Sequence, residues 1–218
     1  MPEQLTNVIT LARHADAAPF RRLVEEHGSP LLVLDCDAMR RKYRELRAAL
    51  PTVGLFYAIK SLPHPDALAT LAAEGASFDV ATSGELDLLR GIGVDPAATI
   101  HTHPIKRERD IRDALDFGCK IFVVDNIDEL AKFEAFGAQA RLLLRVSFRG
   151  KGVVSDLSRK FGCEPGAVPR LLTEAARLGV PVIACRLSCA SLTHYEMDLG
   201  NWRFSSKKRA TLAGLVSW

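Results

Sequence analysis

Between residues 53 and 191, six short apolar runs alternate with five longer amphipathic ones, and no other property of the chain restricts its fold so strongly. The apolar runs are VGLFYAIK (53–60), SFDVAT (77–82), TIHTHP (99–104), KIFVVD (120–125), RLLLRVSF (141–148) and VPVIACRLSCAS (180–191). Their length and β-branched content predict strands. The stretches between them, residues 65–76, 83–94, 106–118, 126–137 and 167–179, have helical spacing. One further pair precedes them, PLLVLD (30–35) leading into CDAMRRKYRELRAAL (36–50). Strands joined through helices run parallel, with right-handed crossovers. A repeat of this kind without a glycine-rich nucleotide turn predicts an α/β fold of the (β/α)8 TIM-barrel type rather than a doubly wound sheet. Residues 192–218 offer one helix and no convincing strand, so the barrel is expected to be incomplete, with two strands missing and open sheet edges.

The boundaries carry chemical punctuation. Asp35, Ser83 and Asn126 are suited to cap helix N-termini, and Gly75, Gly93, Gly118, Gly137 and Gly179 fall where a left-handed C-terminal cap wants glycine. A net charge of +3 with mixed signs gives no basis for nucleic-acid or membrane binding. No apolar run approaches the roughly 18–20 residues of a membrane span, and the first 20 residues lack a basic segment followed by an apolar one. The five cysteines, Cys36, Cys119, Cys163, Cys185 and Cys189, show no CxxC spacing. They are expected to be free thiols in a reducing, cytoplasmic setting.

Active sites of such barrels lie at the C-terminal ends of the strands. Lys60 ends its strand run, and side-chain alternation puts it on one face with Phe56 and Ala58. If that face is buried, desolvation disfavours the ammonium form and makes the amine a nucleophile for an aldehyde. Ala58 then leaves space for a flat ring. The bland alternative is a lysine that snorkels at the rim. Asp79 lies at the same rim, and Glu85 in the first turn of the next helix; they are either a loop contact with a charge near a helix N-terminus or partners of Lys60 and a cofactor. Arg145, flanked by leucines, needs an anion: a phosphate, a substrate carboxylate or Asp79 in a structural ion pair. His101 and His103 share a strand face, but no third ligand accompanies them, so a metal site has little support. The mixed run KRERD (106–110) reads as solvated surface.

Taken in order, these motifs resemble the pyridoxal-phosphate (PLP) decarboxylases with an alanine-racemase-like barrel, which act on ornithine, lysine, arginine or diaminopimelate. FYAIK (56–60) resembles the strand ending in that family's Schiff-base lysine, implying that role for Lys60. FDVATSGEL (78–86) implies cofactor-site roles for Asp79 and Glu85, and LLLRV (142–146) implies that Arg145 is the family's active-site arginine. LSRKFGCEP (157–165) is similar to the loop that follows, while IKRERDI (105–111) and DLGNW (198–202) are most similar to bacterial ornithine decarboxylases. In RLSCAS (186–191), Ser191 matches a family serine, and Ser188 stands where the family has a histidine that stacks on the cofactor. The resemblance covers about residues 28–202 and implies three segments: an N-terminal extension (1–30), a partial PLP-binding barrel (31–202) and a divergent tail (203–218). It implies PLP-dependent decarboxylation of a basic amino acid, ornithine above all, for polyamine biosynthesis, by a homodimer in the full-length family. This chain would be a C-terminally truncated or degenerate copy. The alternative is an inactive paralogue that binds a regulatory partner.

Overall fold

All six expected strands form, and every paired neighbour is parallel. The computed structural model describes residues 18–147, 160–188 and 215–217. Helix α1 (Ala18–His27) and helix α2 (Cys36–Ala49) precede strand β1 (Gly54–Ala58). Then follow α3 (Pro65–Ala73), β2 (Ser77–Val80), α4 (Ser83–Gly91), β3 (Thr99–His101), α5 (Glu108–Phe117), β4 (Ile121–Val124) and α6 (Ile127–Ala131). Strand β5 (Arg141–Ser147), α7 (Val168–Arg177), β6 (Val182–Ser188) and β7 (Leu215–Ser217) complete the order. The sheet runs β6-β5-β4-β3-β2-β1-β7. Consecutive strands are therefore neighbours from β1 to β6, as in the winding of a TIM barrel, and among the described residues the sheet remains open between β6 and β7.

Two differences from the sequence reading concern strands. PLLVLD forms none: Leu31 to Asp35 carries no regular structure and Leu32 is 89% exposed. An apolar run becomes a strand only where another strand meets its backbone groups, and no strand of the described sheet pairs with this one. Conversely, β7 arises where the pattern offers no strand, pairing Gly54 with Leu215, Leu55 with Val216 and Phe56 with Ser217. The edge of β1, expected to be open, is covered by it.

The main core lies between the sheet and the helices. Leu55, Tyr57, Phe78, Val80, Phe122, Val124, Leu142 and Leu144 from the strands pack with Leu68, Leu71, Leu86, Leu89, Ile111 and Phe133. Each such side chain contributes about 1.5–3 kcal/mol by leaving water. Asp35 and Asn126 cap as expected, accepting from the Ala38 and Glu129 N–H groups at 2.8 Å each. The cap of α4 is Thr82 rather than Ser83, whose hydroxyl instead donates to Asp113 at 2.6 Å. Gly118 closes α5 with φ 104°, and a Cβ there would come within 2.8 Å of Pro96. Among the described residues no helix is long and apolar enough to cross a membrane. Cys36, Cys119, Cys163 and Cys185 are free thiols; Cys189 lies outside the described residues.

Candidate active site

Register decides which side chains share a face. Val80 is paired with His101, His101 with Phe122, and Phe122 with Leu142, so this row faces the helices with the main core. Their strand neighbours point the other way. Ala58 is paired with Asp79, and Asp79 with Ile100, so these three share the opposite face. Val123 is paired with Leu143, and Arg145, two residues further on, joins the same face. Ala58, Asp79 and Arg145 thus stand on one side of the sheet, toward the C-terminal ends of their strands.

Lys60 reaches that end by a different route from the one expected. Strand β1 stops at Ala58, and Ile59–Ser61 forms a 3-10 turn closed by the Leu62 N–H on the Ile59 carbonyl. Strand alternation therefore no longer governs residue 60. Ile59 is buried in the core, whereas Lys60 is exposed, so the desolvation invoked to activate its amine is not present. Charge surrounds it instead. The half-buried Glu85 has its carboxyl pKa raised, first by burial; Asp79 adds to the rise, and the Ala81 N–H and the Lys60 charge oppose it. Lys60 and Asp79 thus each lie within electrostatic range of Glu85. Glu85, in the first turn of α4, also turns back toward the end of β2, accepting from the Ala81 N–H at 2.6 Å. Asp79 is buried, with the Thr102 hydroxyl 2.6 and 2.7 Å from its two oxygens.

Arg145 is half-buried, with its guanidinium carbon 5.4 Å from the centroid of the Phe161 ring. Lys160 Nζ lies 5.7 Å from the same centroid, and the His103 ring meets it edge-on at 5.8 Å. A ring face favours cations in this way. The Phe161 segment is held by Gly162, whose N–H donates to Asp125 at 2.7 Å. With φ 106° and a Cβ position 2.6 Å from Ser147, residue 162 admits only glycine without rearrangement. Ser191 lies outside the described residues, and Ser188 ends β6.

The two histidines do not share a face. Strand β3 ends at His101, which is fully buried and stacked on Phe122 at 5.8 Å. Burial holds its pKa down at about 3, with Lys106 and His103 adding to the effect. His103 lies beyond the strand, its Nδ1 2.6 Å from the Ile105 carbonyl.

The run KRERD is not wholly surface either. Lys106 is buried, donating to the carbonyls of His103, Pro104 and Val123 at 3.0, 3.2 and 2.7 Å. It pairs with buried Glu129 at 3.0 Å. Burial lowers its pKa to about 8 despite the attraction of Glu129. Asp110 is buried too, its pKa held at about 2 chiefly by the hydrogen bonds from Arg107. Sequence reasoning gives no role to Thr102, Phe161 or Glu129, and it places Lys106 on the surface, where the structure buries it. The one usable signal was alternation in IHTHP, which puts Thr102 on the face of Ile100 and so of Asp79 once register is known.

Residues 36–194 match the profile of the pyridoxal-dependent decarboxylases, pyridoxal binding domain. A lysine/ornithine decarboxylase of Selenomonas ruminantium is 33% identical over 160 residues, 73% of this chain and 41% of that protein. The antizyme inhibitor 2 of Xenopus laevis is 34% identical over 72% of this chain and 35% of that protein. Among solved structures, the lysine/ornithine decarboxylase of Vibrio vulnificus complexed with putrescine superposes with a TM-score of 0.73 at 45% identity, covering 81% of this chain and 46% of that one. The chain spans less than half the length of these relatives.

Proposed function

The chain belongs to the pyridoxal-dependent decarboxylases, and from that premise we propose that it forms the lysine-bearing, PLP-binding part of a decarboxylase for a basic amino acid, ornithine above all. The observation that carries this reading is an exposed primary amine, Lys60, set beyond the end of β1 within electrostatic range of the Glu85 carboxylate, inside the segment that matches the family.

The residues present fit the cofactor. Lys60 is the nucleophilic amine for its aldehyde. Ala58, small and paired with Asp79, leaves room beside the carboxylate. The Arg145 guanidinium, on the same face, suits the phosphate or the substrate carboxylate. Asp79 and Glu85 place negative charge where a basic amino acid brings ammonium groups. When bound, PLP supplies the electron sink for the pair left behind as carbon dioxide departs. Ser191 is assigned to the cofactor by resemblance alone. The reading carries with it a homodimer in a cytoplasmic setting.

A second reading, a chain that keeps the fold and binds a partner without turnover, is favoured by Ser188 in place of the family histidine and by the antizyme-inhibitor relative. Incubation with PLP, borohydride reduction and peptide mapping test the shared part: label is expected on Lys60, and label on Lys151 or Lys160 instead overturns the assignment. The chain alone is expected to release essentially no carbon dioxide from ornithine or lysine under either reading; turnover at rates typical of enzymes, roughly 1 per second or more, overturns the second reading.

A further inference from the structure

Thr102 has no part in the roles above, yet its placement is tightly determined. It lies one residue past the end of β3, and its N–H donates to the Val80 carbonyl at 3.2 Å. That bond extends the β2–β3 ladder and fixes where the threonine side chain starts. Its hydroxyl then sits 2.6 and 2.7 Å from the two Asp79 oxygens, both residues being buried. A hydroxyl has one proton, so the two distances describe one donor centred across the carboxylate. Such a contact favours the ionised form and fixes the rotation of the carboxylate plane. Beyond Thr102 the loop is anchored by Lys106, which holds the His103 and Pro104 carbonyls and is itself held by Glu129. The donor to Asp79 is therefore braced from both sides, by a strand ladder and by a buried ammonium.

We propose that Thr102 is a positioning residue of the cofactor site: its hydroxyl holds the Asp79 carboxylate ionised and fixed in rotation at the end of the sheet where Lys60 receives PLP. The proposal rests on the reading that Lys60 captures PLP. Thr102 acts on the site through Asp79. A hydroxyl that only filled space would be replaceable by a methyl group.

The test uses the full chain with Thr102→Val and Thr102→Ser. The first readout is the Asp79 carboxyl titration, followed by carbon-13 NMR without cofactor. Thr102→Val is expected to raise its midpoint, and Thr102→Ser to keep the parent value. The second is PLP retention, read from the absorbance of the bound cofactor and borohydride-fixed label at Lys60. Loss of one hydrogen bond to a charged group predicts roughly tenfold weaker PLP for Thr102→Val and less than about twofold for Thr102→Ser. An unmoved titration in Thr102→Val overturns the proposal, as does a moved titration with unchanged PLP retention. If the parent chain fixes no PLP on Lys60, the functional reading fails separately, and the titration alone decides whether Thr102 sets the state of Asp79. Should Thr102→Val not fold, Thr102→Ala carries the same readouts and the same criteria.

Discussion

The turn after β1 and the loop after β3 each bring a lysine to the same end of the sheet, and they treat it in opposite ways. After β1, a 3-10 turn throws Lys60 outward, with its amine exposed within electrostatic range of Glu85. After β3, the loop folds over Lys106, whose ammonium meets three carbonyls and Glu129 in the interior. An ammonium has three protons to donate, and those of Lys106 are fully employed; its nitrogen has nothing left for chemistry. Lys60 keeps its amine accessible. Local sequence suggests the reverse, since Lys60 ends an apolar strand and Lys106 opens a charged run. What separates a reactive lysine from a structural one here is the path of the backbone just past the strand.

The sharpest way to break the contrast is to remove each lysine in turn. Lys60→Ala is expected to abolish PLP capture and to change stability by less than about 0.5 kcal/mol, as for exposed positions elsewhere. Lys106→Met takes from Glu129 its buried cation and from three carbonyls their donor, and is expected to cost about 3–5 kcal/mol. Urea unfolding of both variants measures the difference, and equal losses would refute the distinction drawn between them.

A smaller effect comes from acid. His101 is buried as a neutral ring, and its ordinary pKa of 6.5 falls to about 3 in the fold. The unfolded chain binds the proton more readily, so this contribution to stability is present above pH 6.5 and is lost as the pH falls toward 3. By pH 5 the loss amounts to about 2 kcal/mol. His101→Phe should flatten that part of the stability profile, because a phenyl ring preserves the stacking on Phe122 and takes no proton. A profile of unchanged slope would place the acid sensitivity elsewhere.

Lys132 offers the finest gradation. It donates to Glu129 at 2.7 Å and to the Lys106 carbonyl at 2.6 Å, but it is partly exposed. Lys132→Met is expected to cost about 1 kcal/mol, well short of Lys106→Met. A loss as large as that of Lys106→Met would mean that Glu129 is held mainly from the solvent side.

The strands were legible because fully buried parallel strands need continuous apolar runs, and six of them stand between recognisable caps. Asp35 and Asn126 cap where expected because a short polar side chain before a helical run has little else to bond. PLLVLD misled because hydrophobicity reports a tendency to be buried and not the presence of a neighbouring strand. Leu215–Ser217 escaped notice because three residues are too few to show a period. Alternation carried Lys60 onto the wrong surroundings because it assumes that the strand continues, and β1 ends two residues earlier. Thr102 and Asp79 are 23 positions apart, so only the register between β2 and β3 brings them together.

The enclosure of Lys106 also gives the molecule a clock. An amine is acylated only when a reagent reaches its nitrogen, and three carbonyls and Glu129 surround this one. Burial keeps such reagents away until the loop over it opens. Its acylation rate therefore measures how often the chain breathes at that point, while Lys60, always in contact with solvent, registers the strength of the reagent in the same sample.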